Sequence, residues 1–189
     1  MTEMKGGLKI LITGKPGVGK TTCVERLARQ LPADRRLGFF TREIREKGRR
    51  VGFAIETLDG MRRTLSHVRF SSPHRVGKYG VDVPALDAIV AHLEAQPLLP
   101  STVVVVDEIG KMESISPRFR QWMERVLHES RLLVATIAIR GDAWMESLKQ
   151  RPDVKRVELT MANREETCAA IVQQVLQALE EVNGKENRC

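Results

Sequence analysis

Two short stretches of this chain hold residue types whose spacing implies chemistry. The first is Gly14-Lys15-Pro16-Gly17-Val18-Gly19-Lys20-Thr21-Thr22, which fits the pattern G-x-x-x-x-G-K-[ST] in full. Glycines at that spacing let the backbone wind round a phosphate chain with its N–H groups facing inward. They do so at a helix N-terminus, whose partial positive charge favours anions. Lys20 would reach the β- and γ-phosphates, and the Thr21 hydroxyl would ligate Mg²⁺. The second stretch is Asp107-Glu108, two acids directly behind four valines. An acid at the tip of an apolar strand, downstream of a phosphate loop, commonly holds Mg²⁺ through water, and Asp107 fits that role. Glu108, beside the metal, would polarise a water for attack on the γ-phosphorus as general base.

The flanking sequence supplies the elements that such residues need. Leu8-Lys9-Ile10-Leu11-Ile12 reads as a buried strand entering the glycine loop. Val24, Leu27, Ala28 and Leu31 recur at i, i+3, i+4 and i+7, one face of a helix leaving it, closed by Pro32. The run Thr102-Val103-Val104-Val105-Val106 is β-branched without alternation, as a central parallel strand buried on both faces requires. Residues 132–137 form another such strand, with Thr136 toward its end. A hydroxyl there either meets the attacking water or γ-phosphate, or satisfies itself locally. Transition-state charge calls for a further cation, and the candidates are Arg42, Arg45, Arg62, Arg63, Arg140 and Arg164. Lys111, Met112 and Glu113 follow the strand tip and are near the site by connectivity. Arg164, at the mouth of the last helix, would stack on or flank the base.

Elsewhere the pattern keeps alternating, with one exception. Residues 38–45, 51–58 and 61–65 read as three short strands joined by tight turns, Asp59-Gly60 being the stronger turn signal. They predict an antiparallel meander inside a strand–helix chain, a β-rich insertion over about 38–83 that extends the sheet or covers the site. Residues 71–80 read as loop, with a short strand at 79–83. Pro84 opens a helix faced by Leu86, Ile89, Val90 and Leu93, and Ser116-Pro117 opens another faced by Phe119, Trp122, Met123, Val126 and Leu127. A short helix runs from Asp142 to about Lys149, and a last strand spans 154–159. Asn163 and Glu166 resemble a capping box for the final helix, with a frayed tail from Gly184. The alternation implies an α/β fold, a mostly parallel sheet with helices on both faces and its ligand at the C-terminal strand edge.

The totals set bounds. A chain of 189 residues, 42% hydrophobic and 29% charged, describes one soluble globular domain spanning residues 1–189. No run approaches a membrane span, and residues 1–7 lack the apolar core of a signal peptide, so a cytoplasmic location is expected. The three cysteines, Cys23, Cys168 and Cys189, and the four histidines show no metal spacing; Cys23 and Cys168 read as small buried hydrophobes. Between Arg35 and Lys78 twelve Lys/Arg face four Asp/Glu, so the whole net charge of +7 is concentrated in one segment. Arginines there suit a polyanionic nucleotide, with nucleic acid as the rival partner. A monomer is favoured.

The combination of motifs is more specific than either alone. The phosphate loop, the Gly38-Phe39-Phe40-Thr41-Arg42-Glu43-Ile44-Arg45 hairpin with Arg50-Val51-Gly52-Phe53, Thr57-Leu58-Asp59-Gly60, Lys78-Tyr79-Gly80-Val81-Asp82, Asp107-Glu108-Ile109-Gly110-Lys111-Met112-Glu113 and Asn163-Arg164 occur in one order. The chain resembles the small nucleoside-triphosphatase family known from thermophiles and, in animals, as cancer-related nucleoside-triphosphatase. The resemblance implies a P-loop NTPase with a RecA-like sheet, hydrolysing ATP, GTP, CTP, UTP and similar triphosphates to diphosphate and phosphate with Mg²⁺. By position it implies phosphate contacts from Gly14, Lys15, Pro16, Gly17, Val18, Gly19, Lys20 and Thr21, and a second nucleotide-contacting segment of Val104, Val105, Val106, Asp107, Glu108, Ile109, Gly110 and Lys111. This chain has Met161-Ala162 where the family often has Lys-Glu, which bears on contacts near the last helix. Two other readings compete: a nucleoside or nucleotide kinase with the arginine-rich insertion as lid, and a nucleic-acid-associated ATPase. Glu108 beside the metal favours water over an excluded-water acceptor.

Overall fold

Apolar alternation becomes nine strands and five α-helices among the residues described, 7–186 of a computed structural model. In chain order they are β1 (Leu8–Gly14), α1 (Lys20–Gln30), β2 (Arg36–Glu46), β3 (Arg49–Thr57), β4 (Arg62–His67), β5 (Arg75–Val76), β6 (Tyr79–Val81) and α2 (Val83–Glu94). Then follow β7 (Val103–Ile109), α3 (Pro117–Glu129), β8 (Leu132–Ile137), α4 (Ala143–Lys149), β9 (Lys155–Leu159) and α5 (Arg164–Glu186). One sheet takes all nine strands in the order β5-β6-β4-β3-β2-β7-β8-β1-β9. From β2 to β9 every pairing is parallel; from β2 to β5 every pairing is antiparallel. The parallel core therefore places β8 between β1, which feeds the glycine loop, and β7, which ends in the acids.

Side-chain alternation along the core strands divides the interior. Val104, Val106, Leu133, Ala135 and Ile137 face α2, α3 and α4, whose Leu86, Ile89, Phe119, Trp122 and Met145 cover them. Ile10, Ile12, Val103, Val105 and Val134 face α1 and α5, covered by Val24, Leu27, Ile171 and Val175. A strand buried on both sides can afford no polar alternation, which is why β7 reads as unbroken valine. Helix starts are set as the sequence implies: Asp82, Ser116 and Asp142 each accept from an N–H in the first turn, and proline sits in the first turn of α2 and α3.

Four boundaries differ from expectation. The first strand of the expected insertion, β2, pairs parallel with β7 from Arg36↔Val103 to Phe40↔Asp107, so it belongs to the core and only β3 to β6 extend the sheet antiparallel. The expected loop at 71–80 contains β5, two residues that pair with β6. Asn163 does not close a capping box: its side-chain oxygen accepts from the Thr160 N–H at 2.8 Å and its amide donates to the Glu158 carbonyl, turning it back toward β9. The final helix runs through Gly184 to Glu186; Cys189 lies outside the described residues.

The β2–β7 pairing depends on Gly38, where φ is +135° and an added Cβ would stand 1.8 Å from the Val105 carbonyl oxygen. Gly38→Ala is expected to cost about 3 kcal/mol or more, since both the backbone and its neighbour must shift. A denaturant melt matching wild type would remove that argument.

Candidate functional site

The loop after β1 is built for an anion by what it leaves open. Gly17 and Gly19 hold positive φ, and Gly19 caps α1 without a side chain. The first turn of α1 carries no acid, so its leading N–H groups and the positive end of the helix dipole face outward unneutralised. Lys20 folds back so that its Nζ donates to the Gly14 carbonyl at 3.0 Å. Pro16, Gly17, Gly19, Lys20, Thr21 and Thr22 line a cleft of about 580 Å³, and Glu108, Ala138, Ile139 and Arg140 line it as well. The phosphate loop, one acid of β7 and the loop after β8 thus share one cavity.

Asp107 sits beneath this cleft, 3% exposed. Val106 lies opposite Ala135, so the next residue of β8, Thr136, stands beside it and donates its hydroxyl to Asp107 Oδ1 at 2.5 Å. The Thr21 hydroxyl at the head of α1 also acts on the Asp107 carboxylate and favours its charge. Burial pushes the Asp107 carboxyl above its ordinary range, against the pull of both hydroxyls and of the charges on Lys20 and Arg42. Thr136 is fully buried and committed to Asp107, which settles its two sequence readings in favour of a local partner. A hydroxyl and a buried carboxylate are hard oxygen donors. No cluster of three or more His, Cys, Asp or Glu exists among the described residues to form an all-protein cage. Such a sparse donor set fits Mg²⁺, which takes one or two protein oxygens and completes its shell with phosphate and water.

Glu108 is half-buried in the cleft wall; burial raises its carboxyl and Asp107 adds to the rise, while Lys20 opposes it. Glu113 is the acid that connectivity left unassigned. It is 3% exposed, accepts a long hydrogen bond (3.4 Å) from Thr41 of β2, and is pushed up to about 8 by burial, with Glu108 and Asp107 adding to it. Its place was marked in sequence only by nearness to the strand tip.

Other expected residues fall elsewhere. Val104, Val105 and Val106 are fully buried between the two cores, so they build the strand under the site and do not line it. Val18 and Ile109 are likewise buried, Gly110 lies against the Glu108 and Glu113 carboxyls, and Lys15 and Lys111 are exposed. Arg164 Cδ would lie 3.8 Å from a Cβ on Gly19, so this side chain flanks the phosphate loop. Of the other candidate arginines, Arg42 pairs with Glu25 and covers the Phe40 ring, Arg45 pairs with Glu43, and Arg62 pairs with Glu56 at 3.9 Å. Arg63 donates to the Arg62 carbonyl. Arg140 alone among them lines the cleft. Cys23 and Cys168 are buried and free; burial and the neighbouring Cys168 push the Cys23 thiol upward, as an inert packing role requires.

A strand order with β8 between the phosphate-loop strand and the acid-tipped strand, and a cleft at their C-terminal ends, defines a P-loop NTPase. Comparison with known proteins narrows this. A family model described as NTPase matches residues 9–172. The nucleoside-triphosphatase THEP1 of Thermotoga sp. (strain RQ2) is 43% identical over 157 residues, covering 83% of this chain and 89% of its own. That of Thermotoga petrophila is 39% identical over 180 residues, covering 95% and 97%. The crystal structure of THEP1 from Aquifex aeolicus superposes with a TM-score of 0.79 at 35% identity, covering 89% of this chain and 99% of that one. The solution structure of a human cancer-related nucleoside triphosphatase gives 0.74 at 33%, covering 89% and 97%. The chain belongs to the THEP1-type nucleoside-triphosphatase family and is a hydrolase of the P-loop class. No helix among the described residues is long and apolar enough to cross a membrane.

The Glu113 environment has a consequence for stability. Its folded-state value of about 8 lies above the ordinary 4.5, so between those pH values the native state keeps a proton that the unfolded chain has released. Stability contributed at this position therefore falls as pH rises through that window. Glu113→Gln, which cannot ionise, is expected to melt higher than wild type by an amount that widens from about pH 5 to about pH 8. A difference in midpoint that stays constant with pH would refute it.

Proposed function

We propose that this chain hydrolyses ATP, GTP, CTP and UTP to the diphosphate and phosphate, with Mg²⁺, and that Glu108 activates the water. The observation that carries this reading is the cleft itself: a carboxylate in the same wall as the phosphate loop, beside a buried acid that accepts the Thr136 hydroxyl. The triphosphate lies along the loop N–H groups and the N-terminus of α1, and Lys20 exchanges the Gly14 carbonyl for phosphate oxygens, a stronger charge-assisted contact. Thr21 and Asp107 hold Mg²⁺, which when bound neutralises charge on the β- and γ-phosphates. Glu108 accepts one proton from water as the water oxygen bonds to the γ-phosphorus. The bond from that phosphorus to the β–γ bridging oxygen breaks, and the diphosphate leaves with the electron pair. Arg140, from the loop after β8, faces the charge that spreads over the γ-oxygens, and Arg164 flanks the loop on the side of β9. Every polar group assigned here addresses phosphate or metal, which accounts for weak base preference.

Phosphate release from the four triphosphates with Mg²⁺ tests the reading. Turnover of all four is expected without any added acceptor, and a requirement for a nucleoside, a monophosphate or RNA would replace hydrolysis with a kinase or a nucleic-acid-dependent ATPase. Glu108→Gln is expected to bind Mg²⁺–nucleotide as wild type does and to lose about 10²-fold or more in kcat. Lys20→Ala is expected to lose nucleotide binding or turnover altogether. Arg140→Ala is expected to lower kcat by about 10-fold to 10²-fold with little change in KM; an equal fall in affinity would make Arg140 a ground-state phosphate ligand.

A further inference from the structure

Three large apolar side chains are exposed among the described residues, Leu99, Ile139 and Met161, and Met161 is the barest at 68%. Leu99 leads into β7 at the far end of the strands. The other two stand at the end that carries the cleft, one on each side of β1: Ile139 after β8, Met161 after β9. The turn holding Met161 is fixed against the phosphate loop. Leu159, the last residue of β9, lies opposite Gly14, and a Cβ on Gly14 would stand 2.6 Å from its carbonyl oxygen. Asn163 then clamps the turn. Its side-chain oxygen accepts from the Thr160 N–H at 2.8 Å, its amide donates to the Glu158 carbonyl at 3.1 Å, and its own N–H donates to the Thr160 hydroxyl at 3.2 Å. Arg164 reaches back along the loop, its Cδ 3.8 Å from where a Cβ on Gly19 would stand. Its guanidinium lies 3.6 Å from the Met161 sulfur and 3.6 Å from the Glu165 carboxylate. Thioether and guanidinium thus meet beside the phosphate loop, both at the surface.

Strand order decides which end of a nucleotide arrives here. Asp107 and Glu108 lie at the end of β7, so the γ-phosphate belongs on the β7 side of the loop. In the order β7-β8-β1-β9 the rest of the nucleotide leaves on the other side, toward β9. We propose that the Met161 thioether and the Arg164 guanidinium form a platform for one face of the nucleobase. The inference rests on the triphosphate lying along the loop with its γ end at Glu108. A thioether is polarisable and favours aromatic rings, and a guanidinium plane stacks on a base face. Every base has such a face, so the platform takes all four without reading an edge. Asn163, whose amide could read one, is committed to the backbone of its own turn. Those same hydrogen bonds hold the turn in place before the ligand arrives, which lowers the ordering cost of binding. Met161 stands where this chain departs from the family pattern, so the contact is its own.

The experiment is calorimetric binding of Mg²⁺–ADP, Mg²⁺–CDP and Mg²⁺–pyrophosphate to wild type, Met161→Ala and Arg164→Lys. Wild type is expected to bind ADP at least about fivefold more tightly than pyrophosphate. Met161→Ala is expected to weaken ADP about fivefold, with pyrophosphate within about twofold of wild type. CDP is expected to lose less, since a pyrimidine offers the thioether less ring. Arg164→Lys keeps the charge and removes the plane, and the same pattern is expected of it. Unchanged ADP affinity in either variant, or an equal loss of pyrophosphate affinity, overturns the platform. If wild type binds ADP and pyrophosphate equally, the phosphate site stands and the platform falls. If it binds neither, the nucleotide reading falls and the platform with it.

Discussion

The carboxylate of Asp107, buried at the tip of a strand that is apolar on both faces, is the constraint that the sheet has to satisfy. A charge in that position is costly unless hydrogen bonds and counter-charges reach it. Here they come from three separate elements: Thr136 from β8, Thr21 and the Lys20 charge from α1, and the Arg42 charge from β2. Such a set can assemble only if β8 lies between β1 and β7 while β2 flanks β7 on its other side. That is the observed order. The Val106↔Ala135 register then puts the Thr136 hydroxyl beside the acid, and a one-residue slip would turn it into the opposite core. Topology and polar network specify each other.

The same logic extends to the cleft wall formed after β8. Loops are free to move unless their backbone groups are tied down, and a cation that must face a transferring phosphoryl group needs a fixed base. Lys149, buried on α4, donates to the Ile139 carbonyl at 2.8 Å and to Glu146 at 2.9 Å, and Glu146 accepts from the Gly141 N–H at 3.0 Å. Arg140 lies between these two anchored residues. Its backbone is held on both sides while its side chain lines the cleft, so little backbone entropy remains to be lost when the guanidinium engages an anion.

Much of this was legible in the sequence, and the residues that were not share a cause. β1, α1, β7 and β8 were plain because a buried parallel strand and an amphipathic helix leave their periodicity in composition. The places of Asp107, Glu108 and the glycine loop at one end of the sheet were plain because each follows an apolar strand by local spacing. The parallel pairing of β2 was not, since Phe39 and Phe40 pack toward opposite faces in either orientation and only the partner strand decides it. The role of Thr136 needed register. Glu113 needed two long-range facts, the burial of its carboxyl and its approach to Gly110, and neither is written in local pattern. Asn163 satisfied the spacing of a capping box but found nearer partners in the Glu158–Thr160 backbone, a local competition that spacing cannot rank.

The basic segment illustrates how charge count and charge availability differ. Between β2 and β6 many of the cations are engaged at home: Arg45 and Arg50 on Glu43, Arg69 on Glu46, Arg62 on Glu56, and Arg75 on the Lys78 carbonyl. Their placement follows the sheet. β6 pairs with β4 only at Ser66 and His67, which leaves the Arg62–Thr64 part of that strand as an open edge, and β5 at the rim is two residues long. Long guanidinium side chains and a very short edge strand both discourage another chain from adding itself to unpaired N–H and C=O groups. An antiparallel extension hung on a parallel core creates such edges, so the charge has a structural reason that acts with or without an anionic partner. The opposite rim obeys the same rule with mixed charge, where β9 exposes Lys155, Arg156 and Glu158. The sheet is thus guarded at both ends by ionic side chains, and the cleft that carries the phosphate loop lies at the C-terminal ends of its central strands.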